Sequence, residues 1–400
     1  MSVNISYMGT KREFAPAVAD VISNAQEGTV LDVFAGMCSV GEALQPFRQV
    51  WANDVQKFAF EVATAVFTDC DFPLCRNVVS DILFDDYQDH KNSLEMEYVL
   101  SIDLENNLLE CGSFEKFELL YQKFKSKLSE EKETFSKEEF FLFTSRYADT
   151  YFGLQQVIQI DSILSAIRRA YLRNDIRSDH RRWLTIALGR AMLRTANSTG
   201  HFAQYLKPKV GSFKTFLRQR RRDLWFEWLS SLEEMAPVGT VEWRAENRTF
   251  NMDCSDLMDD LLCSDIRPSV IYADPPYTDD QYSRYYHILE TLVMYDYPDI
   301  VGAGLYRTDR FRTPYSLRSR VAESFERLVK KISMTGADIV LSYPTNGLMY
   351  EVGCDPLKIM KKHFRVVERC YAISHDHSTF GASKGSAKAA VTEQIFLGRA

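Results

Sequence analysis

Short apolar runs that end in an acid or a proline occur in two groups along this chain, separated by a long middle with helical patterning. Near the N-terminus, Thr29-Val30-Leu31-Asp32-Val33-Phe34 is almost continuously apolar, as a buried strand requires. Ala35-Gly36-Met37-Cys38-Ser39-Val40-Gly41 then turns it into a helix starting near Glu42, and a second strand, Gln49-Val50-Trp51-Ala52, ends in Asn53-Asp54. Further strands are predicted near Phe250, at Pro268-Ser269-Val270-Ile271-Tyr272 and at Asp338-Ile339-Val340-Leu341-Ser342-Tyr343. A closing pair is predicted around Arg365-Val366-Val367 and Thr392-Glu393-Gln394-Ile395-Phe396, joined by a polar, glycine-containing connection at 378–388. The middle region carries acidic, lysine-rich patterning at 114–139 and a helical apolar period through Phe152, Val157, Ile160, Ile163 and Ile167. Asn197-Ser198-Thr199-Gly200 interrupts it as a turn. The pattern predicts an α/β fold in three stretches: residues 1–85, a largely helical insertion over 86–247, and residues 248–400.

The strand at 268–272 runs into Ala273-Asp274-Pro275-Pro276-Tyr277. Ligands of open α/β sheets bind at such strand ends. An amino group conjugated to a nucleobase ring is a poor nucleophile, because its lone pair is delocalised. A carboxylate such as Asp274 and a carbonyl such as that of Pro275 can accept both amine hydrogens and draw the nitrogen toward tetrahedral geometry, which frees the pair. Pro275 and Pro276 fix φ and hold those acceptors rigid. Tyr277 offers a face on which an extruded base can stack, an interaction worth roughly 1–3 kcal/mol. The same residues also describe a strand that ends in a proline turn with a buried tyrosine. In the first group of strands, the glycine turn lets the backbone approach a ligand closely, and the following helix N-terminus adds free N–H donors. Asp54 stands where an acid commonly binds ribose hydroxyls. The G-x-G-x-x-G spacing is absent, so a methyl donor fits the turn better than a dinucleotide.

At 400 residues and 46% hydrophobic composition the chain can hold one large domain with an insertion, or two domains. Its net charge of −7 argues against a global polycation. The distribution revises that view: over residues 168–222 the only acids are Asp175 and Asp179, and many basic residues, ending in Arg218, Arg220, Arg221 and Arg222, alternate with Tyr171, Trp183, His201, Phe202 and Tyr205. A phosphate-binding surface requires such a block; a solvated helix face is the alternative. The eight cysteines show no close C-x-x-C pairing, so reduced thiols and a cytoplasmic location are expected. No signal peptide or membrane-length apolar run is present, and no membrane association is expected. His375-Asp376-His377 can be read as a metal pair or as a simple loop or hairpin end; the second reading is taken, and no metal is predicted. Cys38 is not expected to be a nucleophile, since enzymes that methylate a ring carbon place a cysteine after a proline in the catalytic loop.

With both motifs in view, the chain resembles the Dam-like DNA adenine-N6 methyltransferases, in which the cofactor motif comes first, a target-recognition region follows, and Asp-Pro-Pro-Tyr comes after it. Most of the chain takes part. Tyr7-Met8-Gly9-Thr10-Lys11 resembles the family's N-terminal cofactor segment, Asp32-Val33-Phe34-Ala35-Gly36 its glycine turn and Asp54 its ribose-end acid. Phe250-Asn251-Met252-Asp253 resembles the strand-end acid before the catalytic loop, and Leu341-Ser342-Tyr343 a later strand end. Cys38 departs from the pattern, standing where the family usually has its second glycine. The run Tyr282-Ser283-Arg284-Tyr285-Tyr286-His287 resembles a subgroup's loop whose role the residues do not give.

The resemblance implies a Rossmann-like methyltransferase domain with a helical insertion for target recognition. It implies S-adenosylmethionine as cofactor, held by Tyr7, Lys11, Asp32, Phe34, Gly36, Asp54, Asp253 and Asp274. The target adenine would lie against Asp274, Pro275, Pro276 and Tyr277. DNA is the implied partner, with Arg218, Arg220, Arg221 and Arg222 on its phosphates. The implied reaction is direct methyl transfer to N6 of a flipped-out adenine, driven chiefly by positioning. Cytosine-N4 in DNA, adenine in RNA, a silent DNA-binding module and a subunit of a modification or defence system are the alternatives.

Overall fold

The computed structural model describes residues 3, 5, 11–69, 74–134, 140–376 and 390–400. Its strands are β1 (Val30–Asp32), β2 (Val50–Asn53), β3 (Arg248–Phe250), β4 (Val270–Ala273), β5 (Ile300–Val301), β6 (Tyr306–Arg307), β7 (Asp338–Pro344), β8 (Val366–Asp376) and β9 (Ala390–Arg399). Every residue of β1, β2, β4 and β7 is buried, which explains their unbroken apolar runs. Seven strands form one sheet in the order β3-β2-β1-β4-β7-β9-β8. The first five are parallel, and β9 runs antiparallel to both β7 and β8. The mixed α/β fold read from the sequence is present, and the predicted closing pair is a hairpin longer than the segments that signalled it.

Strand order reverses between β1 and β4. From β1 the chain builds outward through β2 to β3, then resumes on the other side with β4 and β7. Pairing of Val30 with Val270 and of Asp32 with Tyr272 brings the ends of β1 and β4 level. A crevice opens at such a reversal, outside the carboxyl ends of the strands. One face of the sheet is covered by the helix Val321–Thr335, whose Phe325, Leu328, Val329 and Ile332 pack into a core with Leu31, Ile271, Ile339 and Leu341. Gly336 ends that helix at φ +79°, a left-handed cap that glycine adopts without strain.

The chain divides into two compact units, one of residues 1–70, 236–285 and 309–400 and the other of residues 71–235 and 286–308. The first holds the sheet. The second is helical apart from the small antiparallel pair β5–β6. The insertion therefore opens earlier than residue 86, because the helix Arg76–Glu97 runs unbroken through that point and packs along the helix Leu154–Leu172. Residues 286–308 return to the second unit, a rejoining that no shift in composition marks. Within it, Val157, Ile160, Ile163 and Ile167 are buried as their period predicts. Asp161, also fully buried, accepts hydrogen bonds from Phe143 N, Thr144 N, Thr144 Oγ1 and Tyr295 Oη and so is satisfied.

Candidate active site

The carboxyl ends of β1, β2 and β4 surround a cavity of about 890 Å³, its open mouth included. Two backbone bonds carry the sheet past the strand ends into the glycine turn: Val33 N donates to Tyr272 O at 3.1 Å and Ala35 N to Asn53 O at 2.9 Å. Gly36 then takes φ +49° and Cys38 φ +65°. The second value explains why a glycine is usual at position 38, since a side chain in the left-handed region costs about 1–2 kcal/mol. Cys38 caps the helix Ser39–Leu44 with its backbone, and its thiol is wholly buried. Burial pushes that thiol well up, with Glu42, Asp32 and Asp54 adding to the effect, which leaves it unsuited to nucleophilic work.

Asp54 locks the turn. Its Oδ2 accepts Gly36 N at 2.9 Å and its Oδ1 accepts Gln56 N at 2.8 Å, which joins the exits of β1 and β2. Burial raises its pKa to about 6 against the pull of those two N–H groups. Asp32, 3% exposed, accepts Phe34 N at 3.1 Å, and burial raises its carboxyl well above the usual range. Asp32, Phe34, Gly36 and Asp54 all line the cavity.

Across it stands the loop after β4. Asp274, Pro275, Pro276 and Tyr277 line the wall together with Lys11. The Lys11 ammonium lies 3.1 Å from Asp274 Oδ1 and 3.1 Å from Glu393 Oε1. Burial disfavours the lysine's charge, but the two carboxylates outweigh it and raise its pKa. Asp274 is raised by burial, with Lys11 pulling it down and Glu393 pushing it up. Tyr277 O accepts Leu348 N at 2.7 Å, which ties the loop to the helix that follows β7. Its ring lies 5.2 Å from Lys11 Nζ and edge-on to Tyr282 at 6.4 Å. The wall continues through Gln281, Tyr282 and Ser283 to Phe311 and Thr313. Gln281 donates to Thr313 O at 3.1 Å and accepts Thr313 N at 2.8 Å, while Ser283 Oγ donates to Phe311 O at 2.6 Å. The start of the run at 282–287 thus has a place: it is the fixed flank of the loop after β4.

Most of the expected site residues meet in this one cavity. Tyr7 lies outside the described residues. Asp253 is a correction: it does not line the cavity but caps the helix Cys254–Cys263, accepting Ser255 N at 2.8 Å. Arg220 is a second correction. Only 7% exposed, it donates to Thr150 O at 3.1 Å and lies over Phe216, so it holds the second unit together and is not open to phosphates. Arg221 donates to Leu109 O, and Arg222 to Arg194 O while paired with Glu227. Of the four arginines, Arg218 is exposed with no such tether among the described residues. Glu393 was missed, although an acid inside the apolar strand Ala390–Arg399 was a signal of a buried charge with a partner.

A family model described as D12 class N6 adenine-specific DNA methyltransferase matches residues 7–339. This chain belongs to that family. Modification methylase LlaI of Lactococcus lactis subsp. lactis is 22% identical to it over 387 residues, which cover 96% of this chain and 52% of that protein. Type II methyltransferase M.FokI of Planomicrobium okeanokoites is 28% identical over 287 residues, 70% of this chain and 40% of that protein. Type II methyltransferase M.CviAII of Paramecium bursaria Chlorella virus 1 is 23% identical over 248 residues, 62% of this chain and 65% of that protein. The chain thus spans about half or less of the first two relatives. D12 methyltransferases use S-adenosylmethionine, and this cavity fits it chemically: buried acids suit ribose hydroxyls and a sulfonium, and Phe34 and Val55 give apolar wall. No described helix is long and apolar enough to cross a membrane.

Proposed function

We propose that this chain methylates the N6 amine of an adenine extruded from DNA, and that it serves as the modification enzyme of a restriction-modification system. The carrying observation is Asp274, a largely buried carboxylate directly after β4, in the lining of the same D12 cavity as the glycine turn. Asp274 and the Pro275 carbonyl accept the two amine hydrogens, and Tyr277 stacks on the base. S-adenosylmethionine, bound against Asp32, Gly36 and Asp54, supplies an electrophilic methyl group. The amine lone pair forms the N–C bond as the S–C bond breaks, its electron pair staying on sulfur, and the methylated nitrogen then loses one proton to water. Lys11 keeps Asp274 in place throughout. The names of the methylase relatives support the restriction-modification setting. The cysteines Cys38, Cys75, Cys111, Cys254, Cys263, Cys354 and Cys370 are free, which supports a cytoplasmic location.

Incubation with methyl-labelled S-adenosylmethionine and either DNA or RNA, followed by nucleoside mass spectrometry, tests the reading. N6-methyldeoxyadenosine is expected. Label in N4-methyldeoxycytidine or only in RNA would overturn the substrate, and no label in any nucleoside would overturn the activity.

A further inference from the structure

Lys11 has one carboxylate more than it needs. Paired with Asp274 alone it would already be neutralised, yet the site also holds Glu393, 2% exposed and equally close at 3.1 Å. A second buried acid beside one cation is costly in a low-dielectric interior unless it serves a purpose. Among the described residues, Asp274 Oδ1 and Glu393 Oε1 have the lysine ammonium as their sole polar partner. Glu393 reaches this spot because β9 runs antiparallel to β7. That pairing sets Glu393 opposite Pro344, beside the carboxyl end of β7 and hence near the loop after β4. Its neighbours are pinned on both sides, Thr392 through its carbonyl, which accepts Thr345 N, and Gln394 through its side chain, whose Oε1 accepts Tyr350 Oη. Glu393 also lies beyond residue 339, where the family match ends.

We infer that Glu393 is a positioning residue: it takes half of the Lys11 charge, so that Asp274 is held in place by the ammonium without being spent on it and remains a strong acceptor for the amine of the target base. The inference rests on the function proposed above. Among the described residues, the other charged or titratable groups facing this trio are Asp32 from β1, Tyr272 from β4, Tyr277 from the loop after β4 and Tyr343 from β7, and none of them supplies a positive charge. Lys11 is thus the cation that the two acids divide.

The test follows the Asp274 carboxyl directly, by carbon NMR of aspartate-labelled protein with Asp274→Asn assigning its signal. Removing the like charge in Glu393→Gln should move the Asp274 titration to lower pH. It should also lower kcat about tenfold with KM for DNA nearly unchanged, and Glu393→Asp should restore both. An Asp274 titration that stays in place in Glu393→Gln overturns the inference. Should the glutamine variant fail to fold, Lys11→Met probes the same link from its middle, and there Asp274 must titrate at higher pH than in the parent; no movement overturns the inference equally. Because the titration is read without substrate, a shift in a protein that methylates no adenine would sustain the charge sharing and overturn the proposed function alone.

Discussion

At the scale of single residues the proposed function puts the chemistry on Asp274, and its burial makes two demands on it. It must stay ionised to accept amine hydrogens, yet its surroundings favour the neutral acid. Methyl transfer is therefore expected to fall off on the acid side at a higher pH than an ordinary carboxylate would give, and Asp274→Ala should nearly abolish it. A pH–rate profile whose acid limb sits in the usual carboxylate range would refute this account. Tyr277 contributes its face, so Tyr277→Phe should retain much of the activity, whereas Tyr277→Ala should lose the stacking of roughly 1–3 kcal/mol. Single-turnover rates for the two variants check the ordering. Cys38 stands where the family usually has a glycine, and its φ of +65° is one that glycine adopts freely. Cys38→Gly relieves about 1–2 kcal/mol of left-handed strain but gains unfolded-state freedom of about 0.4–1 kcal/mol and loses a buried side chain. Its melting temperature should stay near the parent's, while Cys38→Val, β-branched in the same conformation, should melt well below both.

Between neighbouring elements the decisive joint is Asp54, which clamps the exits of β1 and β2 through Gly36 N and Gln56 N. Its folded pKa of about 6 lies above the ordinary 3.8, so its contribution to stability is fully present below the unfolded value and is lost as pH rises through about 6. Two units correspond to about 3 kcal/mol. Asp54→Asn should remove that share of the slope, and denaturant melts of parent and variant between pH 4 and 7.5 measure it. Parallel slopes would refute the role. The parent's affinity for S-adenosylmethionine should also weaken below about pH 6, where the protonated acid becomes a poorer acceptor for hydroxyls. Elements like this one were legible in the sequence because every signal was local: an apolar run for burial, small residues for the turn, an acid or Asp-Pro-Pro-Tyr at the exit. Asp253 misled for the same reason, since an acid after a strand reads alike whether it faces a ligand or caps a helix. The edges of the second unit were not legible, because the helix Arg76–Glu97 has no breaker at residue 86 and residues 286–308 join that unit by packing alone. Glu393 was hidden by distance, its partner Lys11 lying at the far end of the chain.

For the molecule as a whole, the proposed DNA substrate requires an acidic protein to engage a polyanion. Charge counting located the basic block at 168–222 but could not show which of its side chains were already committed. Arg220 lies 3.8 Å from Asp149, an acid that burial raises to about 6 while Arg220 opposes the shift. Arg220→Ala should therefore leave a largely buried carboxylate without its cation, though still accepting Tyr121 Oη, and cost on the order of 3 kcal/mol of stability, a loss that chemical denaturation would register with or without DNA. Arg190 and Arg194 are likewise spent on Glu234, and Arg173 on Asp86 and Asp175. What remains for phosphates is an exposed series in and before the helix Phe213–Arg220: Lys207, Lys209, Lys214 and Arg218, none ion-paired among the described residues. If these four neutralise phosphates, their joint replacement by alanine should weaken binding to every DNA sequence alike. The salt dependence should flatten by about 0.9 for each phosphate no longer neutralised, and the melting temperature should stay unchanged because no buried partner is orphaned. Affinity measured over a salt series on two unrelated duplexes decides it. An unaltered slope with full stability would assign this face to solvent and place the phosphate-binding cations elsewhere in the block, with Arg168 and Arg177, both exposed, the next to replace.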